Sequence, residues 1–264
     1  MSVKAHSNGN VGPSTVLITG ATGGIGAALA RNYAAAGRTL ILHGRDESRL
    51  ASLTRECDGL GARVHSVTFD LHDTAGAIAV LRGLSTLYEI NLAIVNAGVS
   101  LELGSGAETH GWEVAREVIA VNLDGAIATV AGVLPEMRQR GSGQIALVSS
   151  LAAYFGLPAT PAYCASKAAL KIYGEAMRGW LAPQGIAVNV VLPGFVRTPM
   201  NAAFAGRMPL AISAERAAAL IRRGLECNRA SIAFPRRLAW GMRFLSVLPP
   251  QLSQRIVRPS RPKR

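Results

Sequence analysis

The sequence is short of acid: 16 Asp and Glu stand against 28 Lys and Arg, a formal charge of +12. The shortage is local. From Arg229 to the end there are nine Lys and Arg and no Asp or Glu, while the body is close to balance. No recognised nucleic-acid motif and no pattern of stacking aromatics accompanies this charge, so nucleic acid is not an expected partner. Cysteine is also scarce. Cys57, Cys164 and Cys227 make an odd count without a CxxC pair. That argues against a disulfide framework and for free thiols in a reducing compartment. The five histidines (His6, His43, His65, His72, His110) lack metal-ligand spacing, so no metal is expected and each reads as structural or exposed. No uninterrupted apolar run approaches the ~20 residues of a membrane span. The opening MSVKAHSNGNVGPS lacks the apolar core of a signal peptide, so residues 1–13 read as a flexible leader and the location as cytoplasmic. Internal repeats and a linker to a second domain are missing too. The reading is one domain over residues 14–235, with enough apolar content (49%) to cover both faces of a parallel sheet.

What is present is organised around residues 144–170, QIALVSS followed by LAAYFGLPATPAYCASKAAL. Tyr163 and Lys167 are four residues apart, so on a helix they share a face, one turn from each other. A phenol has an unperturbed pKa of about 10 and is a poor acid or base at neutral pH. A nearby ammonium favours the phenolate and lowers that value, which makes a Tyr able to exchange a proton near neutrality. Residues 144–148 read as a buried strand ending in Ser149 and Ser150, where a hydroxyl could meet the Tyr at a shared substrate oxygen. The Tyr-Lys spacing alone fits many ordinary helices. Its company along the chain gives it weight.

Residues 15–19 (TVLIT) read as the first strand. Gly20-Ala21-Thr22-Gly23-Gly24-Ile25-Gly26 follows, then an alanine-rich helix to about residue 36, closed by Gly37. Glycines between a strand and a helix let the backbone approach a pyrophosphate, and the helix N-terminus offers free N–H groups. Strands at 39–43, 63–69 and 92–95 alternate with helices at 47–57 and 75–88. Asn96-Ala97-Gly98 ends the fourth strand, and a polar loop at 101–110 leads to one long helix over 112–140 that holds Asn122 and Pro135. Residues 165–181 continue the helix of Tyr163 and Lys167, and a sixth strand at 186–191, the turn Pro193 to Thr198 and a seventh strand at 232–234 complete the pattern. Alternating βα units predict an α/β fold, a Rossmann-like doubly wound parallel sheet of about seven strands flanked by helices.

In this order the glycine turn, Asn96-Ala97-Gly98, the Ser150–Tyr163–Lys167 stretch and Pro193-Gly194 resemble the classical short-chain dehydrogenase/reductase family, over roughly residues 14–198. The resemblance implies an oxidoreductase moving hydride between a nicotinamide and a carbonyl or secondary alcohol. It implies Asn122, Ser150, Tyr163 and Lys167 as catalytic residues. Tyr163 would give the proton, Ser150 steady the substrate oxygen, Lys167 lower the Tyr pKa and reach the nicotinamide ribose, and Asn122 hold a relay water. Ser150 is preferred to Ser149 because it precedes Tyr163 by thirteen residues, the family's interval. The implied cofactor contacts are Gly20, Thr22, Gly23, Gly24, Ile25 and Gly26 at the pyrophosphate, and Gly44 and Arg45 at the end of the second strand. Asp70 and Leu71 would lie by the adenine, and Asn96, Ala97 and Gly98 by the ribose. Tyr163, Lys167, Pro193, Gly194, Val196 and Thr198 would surround the nicotinamide. The family usually has a further Asn where this chain has Val95, a residue suited to a buried strand.

The second strand ends His43-Gly44-Arg45, with no carboxylate until Asp46. By the same resemblance, Arg beside a small residue at this place implies NADP, as in family members whose guanidinium holds the 2′-phosphate. Asp46 reads as a helix cap or, turned inward, as a residue serving NAD; NADP is the expected cofactor. Asp70 could likewise cap the next helix. Residues 199–226 read as a lid, with Ser213 capping a helix over 214–226. Residues 236–264 form a basic, apolar tail that should not stand free in water. Burial against the domain or a partner subunit, in a homo-dimer or homo-tetramer, is the favoured expectation. A peripheral contact with the inner face of a membrane is the alternative. A looser resemblance to short-chain enzymes of bacterial capsular polysaccharide loci points to a sugar or lipid substrate. The competing class is a non-catalytic cofactor-binding scaffold or sensor, against which the complete Asn, Ser, Tyr and Lys set speaks.

Overall fold

The sheet starts in the middle. In the computed structural model, which describes residues 14–100, 111–198 and 208–257, the strands are β1 (Thr15–Ile18), β2 (Thr39–His43), β3 (Arg63–Val67), β4 (Leu92–Val95), β5 (Gly143–Val148), β6 (Ile186–Pro193), β7 (Val196–Arg197), β8 (Ile212–Ser213) and β9 (Ser231–Phe234). Seven of them form one sheet in the order β3-β2-β1-β4-β5-β6-β9, with every pair parallel. The chain winds outward from β1 to β3, returns past β1, and winds the other way from β4. This doubly wound order leaves a crevice where the carboxyl ends of β1 and β4 diverge. β7 and β8 make a separate two-residue pair.

The helices are α1 (Gly24–Tyr33), α2 (Glu47–Gly59), α3 (Thr74–Tyr88), α4 (Trp112–Ile119), α5 (Gly125–Arg140), α6 (Pro161–Leu181), α7 (Ala214–Glu226), α8 (Arg236–Val247) and α9 (Pro250–Val257). Successive strand residues point to opposite faces, so each strand feeds two cores. Val16, Ile18, Leu40 and Leu42 pack with Leu29 and Tyr33 of α1 and Ile221 and Leu225 of α7. Leu17 and Ile41 belong to the other core, with Leu81 of α3, Val130 and Met137 of α5, and Leu170 and Leu181 of α6. A third, smaller cluster joins Leu151, Val190 and Leu192 to Ala239 and Met242 of α8. The tail is thus partly covered by its own domain.

Several expectations need correction. α1 stops at Tyr33, short of residue 36, because Ala34 is extended (φ −63°, ψ 117°). The chain must turn there to enter β2, and tertiary demand outweighs alanine's helix propensity. The helix over 112–140 is continuous but not uniform. Ala120–Asp124 forms a π-helical turn between α4 and α5, and it carries Asn122. The same helix is long and apolar enough to cross a membrane, the only such helix among the described residues, yet most of its apolar window is buried inside the domain. α6 needs no such correction: it runs from Pro161 to Leu181 and carries Tyr163 and Lys167 together, as their spacing predicts, and Pro suits a first position because its missing N–H would have no partner there. α7 falls within the expected lid of 199–226, but it packs in the core against α1 and β9. The leader, the loop 101–110, the lid segment 199–207 and the last residues 258–264 lie outside the described residues.

The acids at the strand ends sort differently from the sequence reading. Asp46 caps α2, accepting from Arg49 N at 3.0 Å. Asp70 does not cap α3. Asp73 does, accepting from Gly76 N at 3.0 Å. Asp73→Ala should therefore lower stability by about 1 kcal/mol, while Asp70→Ala should change it by less than about 0.5 kcal/mol. Urea unfolding of both variants checks this; equal losses would mean that Asp70 shares the capping.

Candidate active site

The site is built on the junction of β1 and β4. Thr19 Oγ1 accepts from the backbone N–H of Asn96 (3.1 Å) and of Ala97 (3.2 Å). Asn96 Nδ2 donates to the carbonyls of Thr19 and Gly20, both at 3.1 Å. The glycine turn is thereby held against the Asn-Ala-Gly turn. Gly20 has a φ of +64°, and a Cβ there would sit 2.7 Å from Ala97 Cα, so no other residue fits. Buried His43 steadies the turn from the other side. Its ring stacks on Phe69 with 3.9 Å between ring centroids, and its Nε2 donates to Phe69 O at 3.0 Å. Nδ1 is then left as an acceptor for Gly20 N–H at 3.4 Å. Burial lowers the His43 pKa, which keeps the ring in this neutral form. At the start of α1, Gly23 provides no side-chain cap and the first turn has no acid, so its N–H groups face the crevice with the positive end of the helix dipole.

The proton-handling residues lie across the crevice. Ser150 and Tyr163 line the same wall of the cavity, and Ser150 Oγ donates to Pro193 O at 3.4 Å. Ser150 Oγ also accepts from Ala152 N at 3.1 Å. Ser149 is turned away, its buried hydroxyl donating to Lys167 O at 2.6 Å and pinning α6 to the end of β5. Lys167 is buried, lies 5.8 Å from the Tyr163 ring centroid, and donates from Nζ to Val148 O at 3.0 Å. Asn122 is fully buried. Its Oδ1 accepts from Val99 N (2.8 Å), and its Nδ2 donates to Val99 O (3.0 Å) and Ser166 Oγ (3.1 Å). A Cβ on Gly98 would be 2.9 Å from Asn122 Oδ1 and 3.2 Å from Lys167 Nζ. Gly98 is thus packed against both polar atoms, and a side chain there would displace them.

Burial governs how these groups titrate. It raises the Tyr163 phenol, against a smaller lowering by the Ser150 hydroxyl. It lowers Lys167 from 10.5 to about 8. This corrects the expectation that the neighbouring ammonium brings the phenol down: in the wall of the cavity the desolvation of both groups is the larger effect.

One cavity of about 1390 Å³ runs along the crevice. Every expected cofactor residue lines it except Gly26, which is buried behind the glycine turn. Ser150, Tyr163 and Lys167 line it too, whereas Asn122 sits one layer behind. The turn after β6 reaches the glycine turn directly, since a Cβ on Gly24 would be 2.5 Å from Thr198 Cγ2. Gly44, Arg45, Asp70 and Leu71 lie at the far end. There Asp70 accepts from His72 Nδ1 (2.7 Å), whose Nε2 meets Glu117 Oε2 (2.7 Å), and these two bonds raise the His72 pKa. His43 and His72 were missed as site residues, because nothing in their spacing marks them. Leu238, Met242, Ile256 and Val257 of the tail also line the cavity. The four-residue interval of Leu238 and Met242 was the available signal.

Comparison with known proteins agrees with this geometry. The short chain dehydrogenase family model matches residues 14–208. An "Uncharacterized oxidoreductase" of Myxococcus xanthus is 34% identical over 236 residues, covering 89% of this chain and 92% of that protein. "Dehydrogenase/reductase SDR family member 7B" of Danio rerio is 36% identical over 202 residues, which is 73% of this chain and 64% of that protein. Among solved structures, a short-chain dehydrogenase from Sphingobium yanoikuyae in complex with NADPH superposes with a TM-score of 0.78 at 26% identity, over 95% of this chain and 98% of that one. A seven-stranded parallel sheet with its crevice at the β1–β4 junction, and Tyr163, Lys167 and Ser150 gathered on the wall of that crevice, therefore go with a family-wide sequence match: the chain belongs to the short chain dehydrogenases, a family of oxidoreductases that bind a nicotinamide cofactor.

Proposed function

We propose that this chain is an NADP-dependent oxidoreductase that interconverts an apolar carbonyl compound and its secondary alcohol. The observation that carries the reading is the gathering of Ser150, Tyr163 and buried Lys167 on the wall of the crevice where the glycine turn meets the turn at 193–198. When bound, the nicotinamide supplies or accepts the hydride. The protein's part is to position and to handle the proton. Tyr163 passes its phenolic proton to the substrate oxygen, and Ser150 holds that oxygen by a hydrogen bond. Lys167 and Asn122 serve the relay that returns the proton to Tyr163. Val196 and Thr198 hold the carboxamide side of the site. The complete set of groups favours an enzyme over a scaffold.

Three features support NADP. A side chain at position 44 would meet Thr22 Cγ2 at 2.7 Å from its Cβ, so a carboxylate there, as NAD would want, is disfavoured. Asp46 is engaged in capping α2. Exposed Arg45 lines the cavity, where its guanidinium can meet a phosphate. The Sphingobium yanoikuyae neighbour was solved with NADPH. The walls beyond Tyr163 are Leu151, Leu157, Leu238, Met242 and Ile256. They suit an acyl or other apolar substrate better than the polyhydroxylated sugar of a capsular polysaccharide. Ile172 and Trp180 on the surface of α6 support self-association as a dimer or tetramer, and the reducing-compartment reading of the free thiols supports the cytoplasm.

Tyr163→Phe should cut turnover by about 10²–10⁴-fold with NADPH binding retained. Ser150→Ala should be badly impaired, and Ser149→Ala, away from the substrate, should keep most of its turnover. Near-normal turnover by Tyr163→Phe would sink the mechanism. Fluorescence titration should find NADPH bound more tightly than NADH, with the preference lost in Arg45→Ala; equal affinities in the parent chain would count against the guanidinium.

Lys167 adds a pH signature. Its folded pKa is lowered to about 8 from 10.5. Between those values the unfolded chain holds a proton that the folded chain has released, so stability rises with pH across this window. Below it the buried charge destabilises in full. Subtracting the unfolding free energy of Lys167→Met from that of the parent cancels contributions from Cys57 and the tyrosines. That difference should climb from pH 8 to pH 10. A flat difference would mean that the amine is solvated.

A further inference from the structure

α8 has two faces. Leu238, Ala239, Met242 and Leu245 turn inward onto Leu151, Val190 and Leu192. Trp240, Phe244 and Val247 turn outward and are 65%, 61% and 77% exposed. Their i, i+4, i+7 spacing makes a single stripe. At 3.6 residues per turn, Arg236 and Arg243 run along one side of it and Arg237 along the other. The Arg243 guanidinium leans over the Tyr154 ring (4.9 Å) and the Trp240 ring (5.9 Å) and donates to Tyr154 Oη at 2.8 Å. α9 adds exposed Leu252 and Ile256, one turn apart, with exposed Arg255 between them. Five of the twelve large apolar side chains exposed among the described residues therefore lie within 240–256.

We propose that α8 and α9 form a docking face for an anionic lipid bilayer. The large apolar side chains enter the boundary between headgroups and acyl chains, and the arginines meet lipid phosphates. Charge selects this occupant. No Asp or Glu follows Glu226 in the sequence, and Arg258, Arg261, Lys263 and Arg264 extend the basic run. A second copy of the chain is a poorer match. Residues before Arg229 hold nineteen Lys and Arg against all sixteen Asp and Glu, so they offer no acidic excess to meet the stripe. A helix whose outward face carries aromatic residues flanked by arginines is suited to lie in a membrane interface, while its inward face stays on the domain. Its position also fits. Leu238, Met242, Ile256 and Val257 line the cavity, so the docked face borders the opening through which a membrane-resident molecule would pass.

The test is co-sedimentation of the full chain with vesicles of phosphatidylcholine alone and of phosphatidylcholine with phosphatidylserine. Binding is expected only with phosphatidylserine and should weaken as salt rises. Arg236→Gln with Arg237→Gln should weaken it about fivefold per residue changed. Trp240→Gln with Phe244→Gln should weaken it at least about tenfold. All four positions are exposed, so thermal melting should be nearly unchanged in both variants. Absence of binding to anionic vesicles overturns the proposal. So does equal binding to neutral vesicles. So does an assembly that Trp240→Gln with Phe244→Gln converts to monomer, since a second copy would then be what covers the stripe.

Discussion

Where two parallel strands part company, their carboxyl ends must be held at a fixed distance or the crevice between them has no defined width. Here Thr19 and Asn96 fix it. One hydroxyl takes two N–H groups from the far strand, and one amide reaches back to two carbonyls of the near one. The bonds are neutral and short of solvent, so each contributes modestly when made and costs more when broken. The glycine turn, the start of α1 and the Asn-Ala-Gly turn all take their positions from this knot. His43 extends it to β3 through Phe69. The cofactor end of the cavity is therefore set by backbone geometry rather than by long side chains.

The end of the cavity around half-buried Tyr163 and buried Lys167 is set by how far the protein covers them. Tyr163 and Lys167 face each other across a wall that disfavours charge on either of them, so the phenol rises and the amine falls. Shifts in opposite directions bring the two groups closer to carrying no charge at all. A positive charge placed nearby would act on a pair with little screening around it. The pair is a sensitive one because it is poorly solvated.

The sheet was legible because each strand is a short β-branched or leucine run between turn residues. The order of the βα units then left few topologies to choose from. The site was legible through its spacing: Tyr163 and Lys167 on one helical face, and glycines between β1 and α1. Three things were not. The π-helical turn has no local composition that distinguishes Ala120–Asp124 from ordinary helix, since it arises from packing. Asp70 and Asp73 are equally good caps on paper, and only the path of the chain chooses Asp73. The direction of the Tyr163 shift depends on how much protein covers the ring, which no residue interval reports. The role of the tail in the cavity was hidden for a different reason. Its inner and outer faces are both apolar, so hydrophobicity alone could not say which one the domain would keep.

The π-helical turn separates two requirements that usually interfere. Widening one turn by a residue leaves the helix before and after it with their inward faces in phase, so α4 still meets α6 and α5 still meets α3. The additional residue belongs to neither packing pattern. Asn122 fills that spare place, aimed at Val99 and Ser166. A polar side chain can then be held in the heart of an apolar helix, tying the chain at Val99 to α6, without either flank having to surrender a core position for it.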